Sequence, residues 1–308
     1  MTLFTREQVL SQLQQGQSLV RAELSKLDLE EANIDRANFV EAYLRGANFA
    51  RASCQQTDFT KAILRFAVLN DANLAGAKLN KAELNNAWLH GTNLKKSEAV
   101  GVKLFDAKLN RLEAPLAKLN EADLRQVKGE AANFSGANFT KANLTQANLP
   151  QANFSGANLN QAIAIAANLP HTLWRQADLE RVDLSHSSLV SADFTAANLV
   201  SAKLTGCNLT SVNFQQAELL EAILERTKLE LTNFSKASLF AANLEGATLS
   251  QVDFTGANLQ DANLENTIWN RVELTDCNVS NAVFTNAKGL TDAQTQWLKK
   301  HGALNVPN

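Results

Sequence analysis

Four histidines and three cysteines are the residues of this 308-residue chain best suited to metal or nucleophilic chemistry. His90, His171, His186 and His301 stand far apart, with no cysteine or carboxylate cluster at ligand spacing beside them, so no metal site is expected. Cys54, Cys207 and Cys277 read as small core thiols, and neither their number nor their spacing suits a disulfide framework. No Ser–His–Asp arrangement and no phosphate-binding glycine loop is recognisable. Asn133, Asn138, Asn143, Asn153, Asn208 and Asn233 each open a glycosylation acceptor pattern, but a short internal repeat generates that pattern without any need for secretion. The chain therefore reads as a non-enzyme without cofactors. The chemistry open to its side chains is that of a contact surface.

What positions those side chains is a five-residue period. From Ala132 to Gln161 the sequence runs ANFSG ANFTK ANLTQ ANLPQ ANFSG ANLNQ. In an extended segment alternate side chains face opposite ways, so Ala and Leu or Phe point inward and Asn points outward. The two residues that follow are mostly Ser, Thr, Gly, Lys, Gln, Glu or Asn, which suit a corner. Gly46, Gly76, Gly136, Gly156, Gly206, Gly246 and Gly256 all stand at the second corner position, where relaxed backbone limits help a tight turn.

A longer period lies over the short one. Phe134, Phe154, Trp174, Phe194, Phe214, Phe234 and Phe254 recur every twenty residues, so four pentapeptides make one coil and the rings form an inward column. Coils stacked at the strand spacing of about 4.8 Å would let such rings stack offset. The register runs from Leu19 or Leu24 to Phe284 without insertion, which predicts about thirteen coils and a rod of roughly 60–65 Å. Residues 95–131 depart most from the motif. Ala99, Ala114 and Gly129 thin the core while Val102, Leu112 and Val127 enlarge the neighbouring inward positions, so a locally distorted or slightly bent section is expected there. The Ile163 and Pro170–Trp174 stretches mark a smaller irregularity.

With these residues in view, the chain resembles the pentapeptide repeat family, whose motif is A(D/N)LXX, over nearly its whole length. The resemblance implies an all-β fold, a right-handed quadrilateral β-helix. Four sides follow from the sequence, but handedness rests on the resemblance alone. Residues 5–15 and 291–302 carry helix signals, Thr5 with Gln8 and Thr291 with Gln294 as capping boxes. The expected organisation is an N-terminal helical cap at 1–18, the repeat solenoid at 19–288 and a C-terminal helical cap at 289–308.

The net charge is −2, which gives no general reason for nucleic-acid binding. The N-terminus lacks a basic region followed by an apolar run, so no signal peptide is expected, and no apolar stretch is long enough to span a membrane. The cytoplasm is the default compartment.

Two sets of outward residues could carry a contact. Val200, Leu220 and Phe240 stack at a first-corner position, and Glu225, Glu245 and Glu265 form a like-charged ladder on the adjoining corner, with Arg226 and Lys203 as local compensation. Toward the N-terminus, Val68 and Trp88 share an outward column with Lys108 and Lys128, and Tyr43 and Ile63 share another; basic neighbours there suggest an acidic partner. The favoured function is a non-enzymatic scaffold or regulator that binds an unidentified protein along one face, as a monomer or an end-to-end dimer. The alternative, which the family resemblance raises, is a DNA mimic that binds gyrase or another topoisomerase. Such a mimic needs an acidic face along most of the rod, because duplex DNA carries one charge per about 1.7 Å. Here the middle is basic instead, through Lys95, Lys96, Lys103, Lys108, Arg111, Lys118, Arg125 and Lys128.

Overall fold

The computed structural model describes residues 4–308 and divides into two compact units, residues 1–158 and 159–308. Residues 1–3, on which the reading of the leader and the start of the N-terminal cap partly rest, lie outside the described residues.

The first unit begins with α1, Arg6–Gln14. Thr5 caps it: its hydroxyl accepts from the Gln8 amide while the Gln8 side chain accepts from the Thr5 amide. Val9 is fully buried, and Arg6 donates to the Glu30 carbonyl at 2.8 Å, tying the helix to the repeats. From there parallel bridges join each residue at the outward position to the one twenty residues on, from Glu23 with Tyr43 to Asn138 with Asn158. Four five-residue sides thus make one turn of chain.

One pentapeptide shows where the backbone donors go. The Asn48 amide donates to Leu27 O in the coil below at 2.9 Å, and Phe49 donates to Val68 O in the coil above at 2.7 Å. Ala50 donates to the side-chain oxygen of Asn48 at 3.0 Å. Arg51 donates upward to Asn70 O, and Ala52 closes the turn on Phe49 O. Each N–H is satisfied, which is what a buried, stacked backbone demands.

The outward Asn or Asp is therefore not merely solvated. Its oxygen holds the corner amide two residues on, as Asx side chains do in turns. At some corners where the outward residue is not Asn or Asp, a side chain of the coil below substitutes. His90 and Val100 donate to Asn70 and Asn80 at 3.0 Å, and Glu130 donates to Asn110 at 2.9 Å.

The second corner residue has positive φ throughout, 56° at Arg51 and 58° at Lys61 for example, which a tight turn closed this way requires at its third residue. Most of these residues are not glycine. From Arg21 to Asn286 this position never holds Val, Ile, Thr or Pro, whereas the first corner holds Val40, Pro115, Thr140 and Ile165. Branching at Cβ and the proline ring both oppose the left-handed region.

The distortion that the sequence predicts over 95–131 is absent from the ladder. Glu98 pairs with Lys118, Lys103 with Asp123, Lys108 with Lys128 and Glu113 with Asn133 in unchanged register. Val102, Leu112 and Val127 are buried and refill the thinned core, so volume is exchanged between inward positions without disturbing the backbone. Gly129 has its own reason: a Cβ there would lie 2.9 Å from the carbonyl carbon and oxygen of Leu109. Restoring the motif with Gly129→Leu is accordingly expected to destabilise, by about 1–3 kcal/mol; denaturant titration checks this, and a stabilised variant would contradict it.

The second unit repeats the same scheme. Asn198 holds the Val200 amide at 3.1 Å, and bridges again join residues twenty apart. Three segments form regular parallel strands, β1 Lys228–Glu230, β2 Thr248–Ser250 and β3 Ile268–Asn270, with Leu229, Leu249 and Trp269 in register. The unit ends with α2, Asp292–Lys300, capped by Thr291 and Gln294. The chain then returns to the repeats, Leu304 pairing with Val283.

Aromatic rings fill both cores. Phe134 stacks on Phe154 at 5.1 Å in the first unit, and Trp174, Phe194, Phe214, Phe234 and Phe254 stack successively at 4.9–5.5 Å in the second. All seven are buried. Trp174 and Trp269 bring a polar N–H inside, and each donates to the Thr two residues earlier, Thr172 at 2.7 Å and Thr267 at 2.8 Å. Those hydroxyls pass the bond on to Leu169 O and Leu264 O, so neither indole N–H nor threonine O–H is left unpaired.

Candidate interaction surface

No three of His, Cys, Asp and Glu gather as a metal site among the described residues. His171, His186 and His301 are exposed at separate places, and His301 packs on Trp297 with ring centroids 4.2 Å apart. Cys54, Cys207 and Cys277 are free and buried. Burial pushes the Cys207 and Cys277 thiols up to about 12 and Cys54 further still, so none supplies a thiolate near neutral pH. No helix among the described residues is long and apolar enough to cross a membrane.

The surface is more informative. In the first unit Tyr43 is 42% exposed and Trp88 52%, both far above the ordinary value for large rings in a packed fold. Tyr43 is bridged to Ile63 on one side of the coil, and Val68 to Trp88 on the next. The corner between those sides carries Phe66, 48% exposed, which the sequence analysis passed over. A phenylalanine at a corner position that is mostly polar or glycine, with Leu116 and Leu231 as its other large apolar occupants, was the available signal. Arg45 lies over the Phe66 ring, its guanidinium carbon 5.4 Å from the centroid. Together these residues make one apolar face wrapped around a corner.

The basic neighbours of Trp88 are not free. Asp106 binds Lys108 at 2.8 Å and Lys128 at 3.2 Å, and the Lys108 bond first, then Lys128, holds the Asp106 carboxyl below its usual range despite some burial. Glu83 is likewise lowered by Lys103 and Arg65, and Asp123 by Arg125. Much of the basic middle of the sequence is thus neutralised locally.

These lowered carboxyls predict the acid response. A depressed folded value means the stabilisation is present above the unfolded carboxyl range near pH 4 and is lost as pH falls through the folded value. The melting temperature should hold from pH 7 to about pH 4 and drop below it, with Asp106→Asn showing a shallower drop. Because the pairs are largely exposed, salt should weaken the effect. An acid profile unchanged by Asp106→Asn would contradict this origin.

In the second unit Val200, Leu220 and Phe240 lie at corners and are half-buried rather than exposed. The Glu225, Glu245 and Glu265 ladder is not compensated by Arg226 or Lys203, since none of the three glutamates forms an ion pair among the described residues. Neutral amides take that role: Asn243 donates to Glu225 at 2.6 Å and Asn266 to Glu245 at 3.3 Å. A carboxylate accepting from an amide needs no counter-ion at an exposed corner.

Family models agree with this geometry. That for pentapeptide repeats (8 copies) matches residues 28–65, 64–95, 117–146, 130–163, 137–173 and 165–199, and that for a pentapeptide repeat region matches 197–268. The chain belongs to the pentapeptide repeat family. No curated protein matches this pentapeptide repeat chain in sequence. Among solved structures it is similar to QnrB1, a plasmid-mediated fluoroquinolone resistance protein, at 20% identity and a TM-score of 0.40 over 59% of this chain and 91% of that one. HetL from the cyanobacterium Nostoc sp., involved in heterocyst differentiation regulation, aligns at 25% identity and TM-score 0.24, covering 91% and 97%. A pentapeptide repeat protein of the Arabidopsis thaliana thylakoid lumen aligns at 27% and 0.28, covering 42% and 80%.

Proposed function

We propose that this pentapeptide repeat chain is a non-enzymatic scaffold or regulator of the cytoplasm that binds a protein partner through the Tyr43–Trp88 face. In this proposal its coils, about thirteen along the sequence, wind right-handed, and α1 and α2 serve as terminal caps flanking repeats 19–288. The observation that carries the function is the exposure of Trp88 and Tyr43 beside Phe66 on a continuously hydrogen-bonded backbone. Rigid aromatic side chains on a pre-organised surface are what protein interfaces use as anchors, because little entropy is lost on docking. A DNA-mimicking role toward a topoisomerase fits less well, since Glu41, Glu83, Glu98 and Asp106 are each paired with Lys or Arg and the unpaired ladder of Glu225, Glu245 and Glu265 spans only three coils.

Affinity capture from the source cells tests the proposal, comparing wild type with Tyr43→Glu/Trp88→Glu and Leu220→Glu/Phe240→Glu. The expected result is a partner lost with the first variant and retained with the second. Loss with the second variant alone would move the interface to the half-buried strip, and a topoisomerase in the catch would favour the mimic.

A further inference from the structure

The apolar face of the first unit has a notch in it. Lys26, Gly46 and Phe66 occupy the same second-corner column on successive coils, linked through the bonds from the Lys26 amide to Arg45 O and from the Gly46 amide to Arg65 O. Gly46 contributes no side chain, and the gap it leaves is a concavity of about 470 Å³ lined by Ser25, Lys26, Arg45, Gly46 and Phe66. The glycine is not needed for the backbone there. Lys, Arg, Glu and Gln adopt the same positive φ at equivalent corners, and a Cβ at Gly46 would meet only Lys26 Cγ, at an ordinary 3.7 Å. What glycine provides is the opening.

The walls of the notch are two cations and a ring. Lys26 and Arg45 are both exposed, and neither forms an ion pair among the described residues. Their neighbours do: Arg21 and Lys61 share Glu41, Arg65 and Lys103 share Glu83, and Lys108 and Lys128 share Asp106. Lys26 and Arg45 thus leave two unpaired positive charges side by side at the notch, as Arg36, Lys81, Lys95, Lys96 and Arg111 leave others elsewhere in the unit, and Arg45 is held there by stacking over Phe66. Two cations beside an aromatic wall match one or two carboxylates next to an apolar side chain. They are too few for a phosphodiester strand, which needs a cation row along its length.

We propose that the Lys26–Arg45–Phe66 notch is a docking site for an acidic peptide segment of a protein partner, an Asp or Glu seated between the two cations with a neighbouring aromatic or aliphatic residue on Phe66. The proposal rests on the scaffold reading and specifies the partner's chemistry. Charge complementarity fixes the register of such a contact, and the ring supplies the desolvated area beside it.

The test is selection from a displayed random-peptide library on the full-length protein, followed by affinity measurements on Lys26→Ala/Arg45→Ala and Gly46→Gln. Gln stands at many equivalent corners, among them Gln56 and Gln126, so Gly46→Gln fills the notch with a side chain the fold already accommodates. The expected result is enrichment of Asp or Glu adjacent to an aromatic or aliphatic residue, with affinity falling about tenfold or more in both variants, the scale of an interfacial charge contact. Selected peptides without carboxylates would overturn the assignment. So would binding that depends on Tyr43 and Trp88 but is indifferent to both notch variants, and that outcome would leave the scaffold reading standing. Tight binding of single-stranded oligo(dT), lost in the same variants, would assign the notch to nucleic acid and overturn the proposal.

Discussion

Replacing Phe214 by Ala is expected to destabilise the chain by about 3–5 kcal/mol, while Phe240→Ala should change stability by less than about 1 kcal/mol. Phe214 is fully buried and stacks between Phe194 at 5.0 Å and Phe234 at 4.9 Å. The size of the penalty depends on whether the surroundings can collapse into the cavity. Here they are poorly placed to do so, because the Phe214 amide is bonded to Asn233 O above and the Asn213 amide to Ala192 O below, fixing the coil spacing on both sides. Phe240 is half-buried at a corner and its loss opens no enclosed cavity. Equal losses from the two substitutions, measured by equilibrium denaturation, would mean that the inward and outward positions are wrongly assigned.

Deletion of residues 289–308 should convert a well-behaved chain into one that associates through its C-terminal end. Leu298 of α2 is fully buried, and Gln294, besides completing the cap, donates to Val272 O at 2.9 Å. Leu304 then pairs with the last coil, accepting from Phe284 at 2.9 Å and donating to Ala282 O at 2.8 Å. Without these residues Phe284 loses its cover and the final coil presents unpaired strand groups, the kind of edge that recruits a second chain. Light scattering after size exclusion should show dimers and larger species. An unchanged monomer would argue against a capping role for α2.

Much of this fold was legible because two periods, five and twenty, are written directly in the residue types. Inward Ala and Leu follow from alternation in an extended segment, and the return of Phe at Phe194, Phe214 and Phe234 gives the coil length. The corners were harder to read. Gly46 and Gly76 hinted at positive φ, but the stronger signal was an absence, that of Val, Ile, Thr and Pro from every second corner. The outward Asn was read by its facing alone, although its oxygen completes the turn, and Asn70 and Asn80 make sense only as substitutes one coil below.

The surface was legible where single residues were out of character, as at Trp88 and Tyr43. Contacts between columns were not. Whether Lys108 is free depends on Asp106 two residues away on the adjoining corner, and whether Glu225 is compensated depends on the reach of Asn243. Phe66 escaped notice because its importance lies in what it stands beside, the gap at Gly46 and the guanidinium of Arg45.

Site-specific photo-crosslinking tests the proposed interface most directly. A benzophenone side chain would replace Trp88 in one variant and Phe240 in another, with irradiation in the source cells. A discrete crosslinked protein partner is expected from position 88 and none from position 240. Crosslinks from position 240 alone, or none from position 88 under conditions in which the wild-type chain captures its partner, would contradict the proposed interface.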